Sequence, residues 1–259
     1  MVKKSLFVFL LFFSVKAFTQ SEDAVNIDYD SDTIKVYERA QIESLYELYS
    51  LNIDPTYELI NGTGYFQYYY LSNVKPVLFL DKIHSSSVTL NGRRYNDIDL
   101  DLDTYTDDVI YIDSSRICIF SPLRVALNKD NVDGFEFYQD NDTLTFRLFR
   151  KKNNPSFNLN DGYYEVVYDG ESKYLIKHIS YLKRLPGNDE YIYEKENYVN
   201  AGNGFSKIGS RKQFVKLFGD YSSDVREFME ESGIKIRNSD KKDIMSVLKY
   251  YDSIDRKIK

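Results

Sequence analysis

The stretch NDIDLDLDT, residues 96–104, constrains the fold of this chain more than any other nine residues. Ile98, Leu100 and Leu102 alternate with Asp97, Asp99, Asp101 and Asp103, and a two-residue period sends alternate side chains to opposite faces of a β-strand. Just before it, SSVTL and RRY flank Asn91-Gly92, a pair suited to the two positive φ angles of a type I′ turn. Such a tight link forces antiparallel neighbours. The rival reading, a calcium loop begun at Asp97, fails at its sixth position, where Leu102 stands and the sharp turn requires glycine. The expectation is a strand that buries its leucines and wets its aspartates. A neighbouring Arg or Lys strand, or a loosely held cation on 97–103, would relieve their repulsion; no residue is assigned as a metal ligand.

The same grammar runs from residue 57 to about 208. A second hairpin is expected where YYEVVY and ESKYLIKHI flank Asp169-Gly170, again as a type I′ turn. Further strands are expected over 64–71, 77–80, 109–112, 116–120, 135–138 and 144–149, each an aromatic or β-branched run bounded by turn residues. No crossover helices separate them, which excludes a parallel α/β sheet. Within GYFQYYYL, Tyr65, Gln67 and Tyr69 point one way and Phe66, Tyr68 and Tyr70 the other. One row should fill the core, and the other could form a ligand platform. The chain holds 24 Tyr and 17 Phe but no Trp, which suits strands and disfavours a dedicated sugar-stacking site.

Helical spacing appears at both ends. In YERAQIESLYELY (37–49), Ile42, Leu45, Tyr46 and Tyr49 fall on one helical face, and Asp54-Pro55 ends the segment. Near the C-terminus, Ser210 with Gln213 forms a capping-box start before Phe214, Leu217 and Phe218. Ser222 or Ser223 opens a helix bearing Val225, Phe228 and Met229 that Gly233 can terminate. Ser239 opens a third, striped by Ile244, Val247, Leu248 and Tyr251. The fold class expected is α+β: mainly antiparallel β (meander, sandwich or half-open barrel), with an N-terminal helix and three C-terminal helices. Its divisions are a signal peptide at 1–20, an antiparallel β domain with the N-terminal helix at 21–205, and a helical segment packed on the sheet at 206–259.

The signal peptide is read from Lys3, Lys4 and the apolar run LFVFLLFFSV, too short to span a bilayer and closed by Lys16. No cysteine near the cleavage region offers a site for acylation. Transmembrane β-strands would need longer sustained alternation than most runs here provide. Cys118, the single cysteine, cannot form an intrachain disulfide and reads as a small buried strand residue. Residues 20–205 carry 18 Lys and Arg against 31 Asp and Glu, whereas 206–259 carry 13 against 9. An acidic body argues against nucleic acid as a partner; the basic tail could touch an anionic membrane surface, giving peripheral association.

Catalytic constellations are scarce. With His84, His178 and Cys118 the only imidazoles and thiol, zinc would need distant carboxylates, and no HExxH, CxxC, G-x-S-x-G, Walker or G-x-G-x-x-G spacing occurs. No catalytic or cofactor-binding residue is assigned, and no cofactor is expected. His178, inside YLIKHISYL, reads as a structural or surface strand residue.

The segments GYYEVVYDG (162–170), KQFVKLFGDYSSDVREFMEESGIKI (212–236) and LKYYDSI (248–254) resemble an uncharacterised family of exported cell-envelope proteins common in Bacteroidota. That resemblance runs from about Gly62 to the end, rests on a hairpin and helical caps, and implies a periplasmic or outer-membrane-associated setting. It transfers no catalytic residue. The expected function is an exported, non-enzymatic envelope module that binds a protein or an apolar or glycan ligand. The alternative is an envelope hydrolase acting on glycan or peptide through a carboxylate pair. A large apolar cavity between sheet and helices would favour a ligand carrier, and a filled core would favour an interaction module. Carboxylates, or a histidine with a partner, converging in a cleft would favour the hydrolase.

Overall fold

The computed structural model describes residues 56–66, 76–79, 84–118, 121–139, 142–153, 157–184, 186, 189–236 and 241–255. All belong to one unit, Pro55–Lys259. The signal-peptide segment, the helix expected over 37–49 and the aromatic positions 67–70 lie outside the described residues. Among the described residues eleven strands form one antiparallel sheet: β1 (Thr63–Gly64), β2 (His84–Leu90), β3 (Arg93–Asp103), β4 (Asp108–Cys118), β5 (Ser121–Ala126), β6 (Val132–Gln139), β7 (Asp142–Phe149), β8 (Gly162–Asp169), β9 (Lys173–Lys183), β10 (Glu190–Asn200) and β11 (Phe205–Lys207). The spatial order is β1-β5-β4-β3-β2-β6-β7-β8-β9-β10-β11, so two meanders meet where β2 pairs with β6. A short helix, α1 (Tyr57–Ile60), precedes them, and α2 (Arg211–Lys216), a 3₁₀ turn (Gly219–Tyr221), α3 (Ser222–Glu231) and α4 (Lys241–Asp255) follow. No helix among the described residues is long and apolar enough to cross a membrane.

The mainly antiparallel α+β architecture matches the sequence reading, and so does the first hairpin: Asn91 and Gly92 have φ of 52° and 77°. The second turn differs. Neither Asp169 nor Gly170 takes a positive φ, and β8 pairs with β9 from Asp169 to Lys173, leaving a loop at 170–172. Asp252 of α4 decides this: its carboxylate accepts the Ser172 N–H at 3.0 Å and the Tyr168 hydroxyl at 2.8 Å.

The NDIDLDLDT strand also needs correction. Leu100 and Leu102 are buried as expected, but so are Asp101 and Asp103, at 7% and 0% exposure. The cause is the segment 76–79, which runs alongside β3 beyond the end of β2, with Leu78 N–H donating to Leu102 O and Thr104 N–H to Pro76 O. Both carboxylates find protein donors there. Asp103 Oδ1 accepts the N–H groups of Tyr105 and Thr106 while Oδ2 accepts the Tyr65 hydroxyl. Asp101 Oδ1 accepts from Leu102 and Phe79 N–H. Burial still pushes the Asp101 carboxyl up to about 7, against the pull of those two N–H groups and of Arg124. A bulge at Asp97, φ 54°, sends Asn96 and Asp97 both to solvent and brings Tyr95 and Ile98 both inward.

The runs expected at 109–112 and 116–120 fuse into β4, whose register shifts between Asp113 and Ile117. β5, β10 and β11 are not among the strands the sequence predicts. At the other end, Ser210 caps α2 by accepting the Gln213 N–H, and Gly233 ends α3 with φ 67°. No serine side chain caps α3, because the 3₁₀ turn runs straight into it through Tyr221. Ser239 lies outside the described residues.

The sheet curls strongly. The turn at 104–107, which joins β3 to β4, reaches the far half of the sheet: Ser180 N–H donates to Thr104 O at 2.9 Å, Tyr163 N–H to Asp107 Oδ2 at 3.1 Å, and Lys177 Nζ to Asp107 Oδ1 at 2.5 Å. One face therefore wraps an apolar cluster that includes Leu59, Val88, Leu100, Phe135, Phe137, Phe146 and Tyr163. Further along the same face, Tyr174, Ile176 and Val199 pack against Phe214, Val225, Met229, Ile244, Val247 and Leu248 of the helices. The opposite face carries a small third cluster at Phe157, Tyr164, Leu175 and Phe205 and is otherwise polar over β2, β3, β6 and β7.

Candidate functional site

Two polar constellations stand out, and they differ in access. The first is buried between the two large apolar clusters. Phe146, Glu165 and Ile176 are cross-strand partners and share a face, and His178 follows Ile176 by two residues on it. His178 Nε2 is 2.9 Å from Glu165 Oε2, its Nδ1 is 2.5 Å from the Tyr193 hydroxyl, and Lys241, the first residue of α4, donates to Glu165 Oε1. Glu165 and His178 are each 3% exposed. Burial alone would raise the Glu165 carboxyl, but the His178 and Lys241 hydrogen bonds hold it below the ordinary carboxylate range. Burial lowers His178 even though Glu165 pulls the other way. A neutral imidazole donating from Nε2 and accepting from Tyr193 at Nδ1 satisfies every group, with Glu165 and Lys241 neutralising each other. A network whose polar groups all have partners, with Glu165 and His178 at its buried centre, specifies packing. It offers no free base or acid to a substrate.

The second constellation lies open on the polar face. Strand register builds it: Arg94 pairs with Thr89, Thr89 with Gly134, and Gly134 with Arg147, giving one row across β3, β2, β6 and β7. In the adjoining row Ser87 pairs with Glu136 and Glu136 with Thr145. Arg94 reaches over β2, its Nη2 donating to Ser87 Oγ at 2.9 Å, Glu136 Oε2 at 2.7 Å and the Tyr138 hydroxyl at 2.9 Å, while Nε donates to Asn96 Oδ1. The Glu136 hydrogen bond raises the Arg94 guanidinium further above its already high range. Arg147 Nη1 pairs with Asp169 at 2.8 Å. Between the two arginines lies a groove of about 390 Å³, floored by the bare backbone of Gly134. That glycine is dictated by packing as well, since a Cβ there would meet the Phe146 carbonyl oxygen at 2.7 Å.

The sequence assigned no site residue, and none of the residues it weighed lines this groove. His178 is a buried network member. Tyr65 serves Asp103, and Phe66 is 84% exposed. Of the platform rows, Gln67 to Tyr70 lie outside the described residues. So do the side chains of His84, on β2, and Cys118, on β4. Among the described residues no group of three or more His, Cys, Asp or Glu could hold a metal ion. The only sequence signal for the groove was polar residues at outward-facing strand positions. Uniting them required the register of four strands. No protein-family model, curated protein or solved structure matched the chain.

Proposed function

We propose that this protein is an exported, non-enzymatic cell-envelope module that binds its partner or ligand through the groove on the outer face of β2, β3, β6 and β7. The observation carrying this reading is the contrast between a filled interior and a pre-ordered open surface. The interface of sheet and helices is occupied by Tyr174, Ile176, Phe214, Val225 and Val247, all buried, which speaks against an apolar carrier. Arg94 is held over the groove by four acceptors, so little side-chain freedom is left to lose on binding. The export signal and the likeness of 162–170, 212–236 and 248–254 to exported Bacteroidota proteins support the envelope setting. A hydrolase gains no support from this arrangement. Asp101 and Asp103 face backbone donors, and both ring nitrogens of His178 are engaged away from solvent.

Photo-crosslinking tests the reading. Benzoylphenylalanine placed at Thr145, in the groove, should yield a discrete envelope adduct in exporting cells, and the same probe at Lys151, in an exposed turn, should not. Equal labelling from both positions, or none from either, refutes it.

A further inference from the structure

Resting on that reading, we propose that the hollow over Gly134 is a binding site for a neutral carbohydrate. Strands are spaced by about 4.8 Å, so the backbones of Arg94 and Arg147 stand about 14–15 Å apart, three strand spacings. The two positions between them carry only Thr89 and a glycine. Long side chains thus wall a depression whose floor is short hydroxyls and main chain. At about 390 Å³ it falls within the small-molecule range of roughly 300–1,000 Å³.

Its chemistry selects the ligand. Arg94 has Glu136, Arg147 shares Asp169 with Lys173, and Asp133 adds a third carboxylate at the groove, so three cations face three anions and little unbalanced charge is left with which to capture an anion. Donors remain nonetheless. Arg94 Nη1 and the Nε and Nη2 of Arg147 make no bond to the described residues, and neither do the hydroxyls of Thr89 and Thr145. Glu136 and Asp133, a second carboxylate lining the groove, supply acceptors. Vicinal ligand hydroxyls, each both donor and acceptor, match such an interleaved set. An apolar ligand would leave these groups desolvated and unpaired, at a cost. Recognition here runs through hydrogen bonds along the strand rows rather than through ring stacking.

Calorimetry on the full exported chain tests this with a panel of neutral oligosaccharides (α- and β-glucans, mannans, chitooligosaccharides), with trigalacturonate and inorganic phosphate as anionic arms. A neutral member should bind with Kd of about 1 mM or tighter. R147A and T145V, both surface changes, should each weaken it by about tenfold with circular dichroism unchanged. The proposal is overturned if no neutral member binds, if an anionic arm binds tighter than every neutral one, or if both variants bind like the parent. Should the Thr145 probe still crosslink a discrete protein while no sugar binds, the carbohydrate fails and the binding module stands. Loss of both signals removes both.

Discussion

Replacing Glu165 with Gln should lower the stability of this protein by about 3 kcal/mol. Removing one partner from a buried ion pair costs about 3–5 kcal/mol, because the other charge is left uncompensated. Lys241 retains 29% side-chain exposure, so water can recover part of its solvation and the lower end applies. Gln can still accept from one partner but cannot neutralise Lys241. For a folded unit of about 200 residues, each kcal/mol moves Tm by about 2–4 °C, which gives a fall of about 6–12 °C. Urea unfolding followed by circular dichroism supplies the free energy, and a cycle with Lys241→Met isolates the pair. The double variant should be more stable than E165Q alone, because an apolar side chain replaces an orphaned ammonium. Two results would refute the reasoning: a loss below about 1 kcal/mol in E165Q, or single effects that simply add, since residues in direct contact should couple by about 0.5–3 kcal/mol.

Other perturbations follow from the same geometry. Asp252→Ala removes the acceptor of the Ser172 N–H and of the Tyr168 hydroxyl and should cost about 2–3 kcal/mol, whereas Asp252→Asn, which keeps one acceptor oxygen, should recover most of it; chemical denaturation compares them. Asp101 has its carboxyl raised to about 7, so the native state binds more protons than the unfolded chain, and stability from this group is lost as pH rises from about 4 through 7. Asp101→Asn should therefore gain on wild type at pH 8 relative to pH 4, and equal differences at both would contradict the assignment. His178 is lowered by burial, so the unfolded chain takes up its proton first as pH falls below about 6.5. The stability advantage of wild type over His178→Gln should shrink between pH 7 and pH 5, and NMR of the imidazole should show the ring protonating at a lower pH than a free histidine.

What the sequence determined by itself was local. Asn91-Gly92 encodes its turn because two successive positive φ angles are cheap only for such residues. Leu100 and Leu102 point inward because a strand has only two sides, and the stripe at Ile244, Val247 and Leu248 needs an apolar surface to cover. Gly233 marks its helix end for the same steric reason as the turn.

Tertiary structure decided the rest, because the deciding partner lay far away in the chain. No strand is expected over 121–126, where Pro122 weakens the pattern, yet proline is tolerated on a strand whose outer edge is covered by β1 only at Val125 and Ala126. β10, half exposed with Glu194, Lys195 and Glu196 in succession, lacks the apolar alternation that reveals a strand. Asp169-Gly170 was a reasonable type I′ turn until Asp252, about eighty residues on, supplied an acceptor for Ser172. The aspartates of 97–103 were expected in water, and the segment 76–79 buried two of them. The groove belongs wholly to this second class. Arg94, Thr89, Gly134 and Arg147 come from four strands, and only hydrogen-bond register, which no single strand contains, sets them in one row.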